Sequence, residues 1–129
     1  NIGPLEHAVA DALREYTGDA AVMSFNPHSI TRMADLRPDI PRGLVTCDFT
    51  KDDWETVPET TLDRLRDIPD FDATGSSFIS HDRADLTRAR VHDLKAQGAN
   101  ILCWTVRDPE QETEARKIAQ NITFEGYAP

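Results

Sequence analysis

Several side chains in this sequence are of types that could do chemistry. Ser80, His81 and Asp82 are consecutive. A hydroxyl, an imidazole and a carboxylate are the parts of a hydrolytic triad, but triad members meet through the fold and not as sequence neighbours, so the run is not read as one. Asp48, Asp82 and Glu125 each sit at the end of a short apolar run. Oxygens from several strand ends could converge there on Mg²⁺ or Ca²⁺; the same carboxylates could equally cap helices or face solvent. Phe25 and Trp104 lie at the ends of two further runs, where an aromatic ring either walls a ligand or fills a core. Arg107 could bind an anion or form a surface ion pair. Zinc is unsupported, because His7, His28, His81 and His92 show no i,i+4 pairing and Cys47 and Cys103 lie far apart. The scattered glycines form neither GxGxxG nor a Walker loop.

The elements that must carry these residues alternate. Pro4 opens a helix whose buried face is predicted to be Leu5, Val9, Leu13 and Tyr16, with Gly18 as its stop. Residues 20–25 are too short for a helix and apolar on both faces, which predicts a buried parallel strand. Asn26-Pro27 caps a second helix with Ile30, Met33 and Ala34 inward. Residues 43–47 form the next strand and 48–57 a loop. A helix over 58–66 follows, with Leu62 and Leu65 inward, then a loop over 69–75. Residues 77–80 form a third strand, and a helix runs from Thr87 to Gln97, ended by Gly98. Residues 101–106 give the strongest strand. Asp108-Pro109 starts the last helix, with Ala115, Ile118 and Ala119 inward, and 122–124 close as a fifth strand. Strand, helix, strand with short connections means βαβ units and a parallel sheet. Ligands in such sheets sit at the carboxyl ends of the strands.

The chain as a whole narrows the classes. Its 129 residues read as one segment, 1–129, with no linker long enough to divide it. The net charge of −9 argues against nucleic acid and anionic membranes, which need a basic face. No apolar run approaches the roughly 18 residues of a membrane span. Two cysteines inside apolar runs read as reduced core thiols of a cytoplasmic protein. The start at Asn1-Ile2-Gly3-Pro4, without an initiator Met, predicts a piece that begins in mid-protein.

Four stretches together resemble the C-terminal half of the glycerophosphodiester phosphodiesterase family. Residues 21–27, AVMSFNP, are similar to the family's "SF" strand end, and 38–45, PDIPRGLV, to the proline-bounded approach to its next strand. Trp104-Thr105-Val106-Arg107 resembles its WTVN/WTVR strand, and 122–129, ITFEGYAP, the ending of one branch. The likeness spans essentially the whole chain in order. It implies α/β architecture: the C-terminal half of a TIM (β/α)8 barrel of the phospholipase-C-like phosphodiesterase type.

The resemblance also implies the reaction, hydrolysis of a small-molecule glycerophosphodiester to an alcohol and glycerol 3-phosphate. A divalent metal, Mg or Ca, would polarise the phosphoryl group and a histidine pair would act as acid and base. The family takes those groups from its first half, so no catalytic residue and no metal ligand is expected among these 129 residues, and the segment alone is expected to be inactive. His81-Asp82 with Leu86 and Arg88 is one residue longer than the family's HD-x-T-L-x-R and lacks its Thr; it is read as part of a late loop. Phe25 and Trp104 match positions on the apolar side of the substrate pocket, with Ser24 orienting that rim or satisfying the backbone. A half-barrel leaves strand edges open, so the missing N-terminal half or a second copy should cover them. The rival expectation is a non-catalytic, self-associating α/β half-barrel module.

Overall fold

The computed structural model describes all 129 residues. They form two compact units, residues 1–45 with 70–77 and residues 46–69 with 78–129.

The first unit contains α1 (Pro4–Ala12), β1 (Val22–Ser24), α2 (Pro27–Leu36) and the start of β2 (Arg42–Thr46). β1 and β2 are parallel, with Ser24 opposite Leu44. The expected cap of α2 is present: Asn26 Oδ1 accepts from the His28 N–H at 3.0 Å, and Pro27 occupies the first turn. Ile30 and Met33 are its buried face.

α1 differs from its expected form. It ends at Ala12, and its buried residues are Glu6 and Ala10. Leu5 is 69% and Tyr16 58% exposed. The reason is polar. Glu6 Oε2 accepts from the Gly3 N–H at 2.7 Å, and Glu6 Oε1 accepts from the Ser29 hydroxyl at 2.6 Å. The Ser29 bond, more than any other contact, holds the Glu6 carboxyl below the usual range. Two hydrogen bonds to the charged form thus turn this face inward in place of the leucine face. Gly18 does not stop a helix either; the Tyr16 ring lies against it and leaves no room for a Cβ. β1 is not buried on both faces, since Met23 is 49% exposed.

The second unit holds the end of β2, α3 (Glu59–Arg66), β3 (Phe78–Asp82), a 3-10 turn (Arg83–Asp85), α4 (Ala89–Ala96), β4 (Asn100–Val106), α5 (Pro109–Ala115) and β5 (Asn121–Phe124). β3, β4 and β5 are parallel and adjacent in chain order. Ile79 and His81 of β3 are register partners of Ile101 and Cys103 of β4. All four are fully buried, as are Val91 and Leu94 of α4. Residues two apart on a strand share a face, so one face of β3 and β4 makes the core and the other carries Ser80, Asp82, Leu102 and Trp104. Gly98 follows α4 at φ +96°, the left-handed stop that its position predicts. The Trp104–Thr105 peptide is cis.

Two non-glycine residues are left-handed, Phe49 at φ 48° and Ile68 at φ 47°. Each is buried and gripped through its carbonyl. Arg66 donates from Nε to Asp48 O at 2.7 Å and from Nη2 to Phe49 O at 2.6 Å. Arg90 does the same to Asp67 O at 2.8 Å and Ile68 O at 3.1 Å. The conformation costs roughly 1–2 kcal/mol per residue, which ring or side-chain burial and two charge-assisted bonds offset.

Candidate functional site

The carboxyl ends of β3 and β4 gather the residues of interest in the second unit. Trp104 is half-buried and register-paired with Asp82. Its indole Nε1 donates to the Ser80 carbonyl at 3.0 Å, so the ring leans back along β3. Arg83, at the start of the 3-10 turn, donates from Nε to the Thr105 carbonyl at 3.0 Å. The Asp82 carboxylate accepts the Ala84 N–H at 2.9 Å and caps that turn.

Beneath this rim lies a chain of polar groups. His81 is 0% exposed. Its Nδ1 is 2.7 Å from Thr46 Oγ1, and its Nε2 is 2.9 Å from Asp85 Oδ2, which also takes Arg88 Nε at 2.6 Å. Burial pushes the His81 imidazole below its usual pKa, and the Asp85 carboxylate offsets this only in part. Burial would raise Asp85, but hydrogen bonds from Arg88 and His81 outweigh it and hold the carboxyl below its usual range. An ionised carboxylate can only accept, so His81 Nε2 carries the proton. The neutral ring then presents a bare Nδ1, and the Thr46 hydroxyl donates to it. This is a hydroxyl–imidazole–carboxylate series, but Thr46 is buried and opens to no substrate. Within the second unit the series ties Thr46, at the end of β2, to β3 and the 3-10 turn.

Sequence reasoning missed Thr46 and Asp85, and named Arg88 only beside the family's HD-x-T-L-x-R. It also placed His81 and Asp82 in a loop, whereas both belong to β3. The available signal was the i,i+4 spacing of His81 and Asp85 followed by Arg88 at i,i+3. Ser80-His81-Asp82 is not a triad: the Ser80 hydroxyl is buried with no hydrogen-bond partner, and the Asp82 side chain caps a turn.

The other expected residues are placed as follows. In the first unit, Ser24 ends β1 and its hydroxyl accepts the Asn26 N–H at 3.0 Å. Phe25 follows it, half-buried. Arg107 forms the surface ion pair that a lone basic residue suggests, 2.8 Å from Glu125. Cys47 and Cys103 are buried free thiols, and burial raises the pKa of both, which keeps them unreactive. No group of three or more His, Cys, Asp or Glu side chains converges to hold a metal ion. Of the expected rim carboxylates, Asp82 caps a turn and Glu125 pairs with Arg107.

The comparisons with known proteins accord with this architecture. The sequence model of the glycerophosphoryl diester phosphodiesterase family matches residues 5–122. The chain belongs to that family. No curated protein matches it. Among solved structures it is similar to a protein from Silicibacter pomeroyi DSS-3 described as a glycerophosphoryl diester phosphodiesterase, at 19% identity and a TM-score of 0.68. That match covers 93% of this chain and 40% of the other. It is also similar to an Oleispira antarctica phosphodiesterase solved with the product sn-glycerol-3-phosphate, at 19% identity and a TM-score of 0.63, over 92% of this chain and 44% of that one. These likenesses show the fold. The expected α/β class, parallel strands alternating with helices as part of a phosphodiesterase barrel, is borne out, and the chain spans less than half the length of either structure.

Proposed function

We propose that this chain is part of a glycerophosphodiester phosphodiesterase, which hydrolyses glycerophosphodiesters to an alcohol and glycerol 3-phosphate. The observation that carries the reading is the family match over residues 5–122. The product bound in the Oleispira antarctica structure supports a glycerol phosphate as the recognised half of the substrate. On the family pattern this segment contributes pocket-wall residues from each unit: Trp104 in the second, its indole fixed by the bond to Ser80 O, and Phe25 and Ser24 in the first. An apolar wall suits the carbon face of glycerol and excludes water beside the phosphoryl group. The acid, the base and the ligands of the Mg or Ca that the family uses come from outside these residues. The unpaired thiols suit a reducing compartment, the cytoplasm, and deacylated phospholipids suit the substrate class.

The test is turnover of glycerophosphocholine with added Mg²⁺ or Ca²⁺. The full protein is expected to release choline and glycerol 3-phosphate, and the isolated segment to release neither. Turnover by the isolated segment would place catalytic groups here and defeat the division of labour.

One observation favours the rival, a self-associating module without chemistry. β1 and β5 are each hydrogen-bonded to one neighbour, β2 and β4, and carry exposed Met23 and Phe124, both near half exposure at 49% and 48%. A gel-filtration mass of twice 14.5 kDa for the segment, with an inactive full protein, would support it.

A further inference from the structure

We propose that Arg83 is a positioning residue for Trp104, and that the end of β3 with the first residue of the turn after it, Ser80 to Arg83, acts as a clamp on that indole. Trp104 is held on both sides of its Cα by neighbouring residues of one strand end. On the side-chain side, Nε1 donates to Ser80 O at 3.0 Å. On the backbone side, Arg83 Nε donates to the carbonyl of the next residue, Thr105, at 3.0 Å.

The backbone attachment falls where regular pairing lapses. The β4–β5 register shifts between Cys103 and Val106, the stretch that contains Trp104 and Thr105. Irregularities of this kind re-aim a side chain and weaken the ladder that would hold it. Arg83 supplies a charged donor at that point. A second guanidinium, Arg107 Nη1, reaches the same carbonyl only at 3.5 Å, the outer limit of a hydrogen bond, from a side chain committed to Glu125.

The clamp is itself anchored. Asp82 caps the 3-10 turn that presents Arg83, and Asp85 at the end of that turn reaches back to buried His81. Arg83 therefore has a fixed base on one side and an irregular strand on the other. Removing its donor frees the segment around Trp104 while leaving the His81 series and the core intact. The function assigned to Arg83 rests on the reading of Trp104 as substrate-pocket wall; the clamp itself does not.

The experiment uses the full protein with Arg83→Met, which keeps an unbranched apolar stem and removes the donor. Two readouts are taken. The indole N–H resonance of Trp104 is assigned with Trp104→Phe, and Trp54 serves as an internal control. Steady-state constants for glycerophosphocholine are measured alongside. The expected result is a shifted or broadened Trp104 resonance with faster solvent exchange and an unmoved Trp54. With it comes a loss of about tenfold in kcat/KM at unchanged melting temperature, since small misplacements at a site can cost up to about a hundredfold. A Trp104 resonance identical to that of the unaltered protein overturns the clamp. A disturbed resonance with unchanged kcat and KM upholds the clamp and sinks Trp104 as a substrate wall. If Arg83→Met does not fold, Arg83→Lys is decisive in the same two measurements: it keeps the charge, lacks the planar fork and is expected to disturb Trp104 in the same direction.

Discussion

Asp85 Oδ2 accepts two donors at once, His81 Nε2 at 2.9 Å and Arg88 Nε at 2.6 Å. Arg88 and His81 hold the Asp85 carboxyl below its usual range, so it is ionised and accepts from His81 Nε2–H, while burial disfavours a second proton on Nδ1 and keeps the ring neutral. This also links the stability of β3 to pH.

Burial keeps the native His81 pKa below the 6.5 of a free imidazole. Well above that pH the imidazole is neutral both folded and unfolded, and stability does not depend on it. As pH falls below 6.5 the unfolded chain binds a proton that the native chain does not, so stability declines until the native ring protonates. Asp85, lowered from 3.8, adds a separate loss below about that pH. Urea midpoints from pH 8 to pH 3 should show both declines. His81→Gln should abolish the upper one, and an unchanged upper decline in that variant would refute its assignment to His81.

Thr46→Val should cost roughly 1–3 kcal/mol, because His81 Nδ1 is then buried without a donor. Thr46→Ser should restore most of that. Equal midpoints for Val and Ser in denaturant titration would mean that the hydroxyl contributes nothing.

Trp104→Ala should impair turnover by the full protein more than it impairs folding. The ring is half-buried, so the stability loss should stay under about 3 kcal/mol. A lost apolar wall corresponds to roughly 10–200-fold in kcat/KM. A variant that unfolds at ambient temperature would instead mark Trp104 as core.

Arg66→Ala should cost about 2 kcal/mol or more, since the carbonyls of Asp48 and Phe49 each lose a charged donor. Arg66→Lys should recover little, because an ammonium cannot reproduce the planar two-point grip. Thermal unfolding of the two variants tests this; full recovery by Lys would show that only the charge matters.

The sequence made the order of elements legible because caps and breakers are local. Asn26-Pro27 and Asp108-Pro109 open helices where expected, and Gly98 ends one. Burial was less legible where polar groups overrode the apolar pattern. Glu6 displaced Leu5 from the inner face of α1 because its partners, Gly3 and Ser29, lie three and twenty-three residues away, and only the nearer lies within the pattern's reach. The His81 series was hidden for the same reason: Thr46 is thirty-five residues from His81 and carries no signature of its own. Trp104 was legible as a rim residue from the end of a strong strand, whereas the arginine that holds its neighbour sits in a turn with no periodic pattern.

The two arginine grips run in series. Arg90 on α4 holds Asp67 and Ile68, just past the end of α3, and Arg66 at the end of α3 holds Asp48 and Phe49, just past β2. The long connections of the second unit are thereby tied to helices and not left to open singly. Amides of the 47–57 stretch should exchange with deuterium together with those of α3 and α4, as one cooperative block.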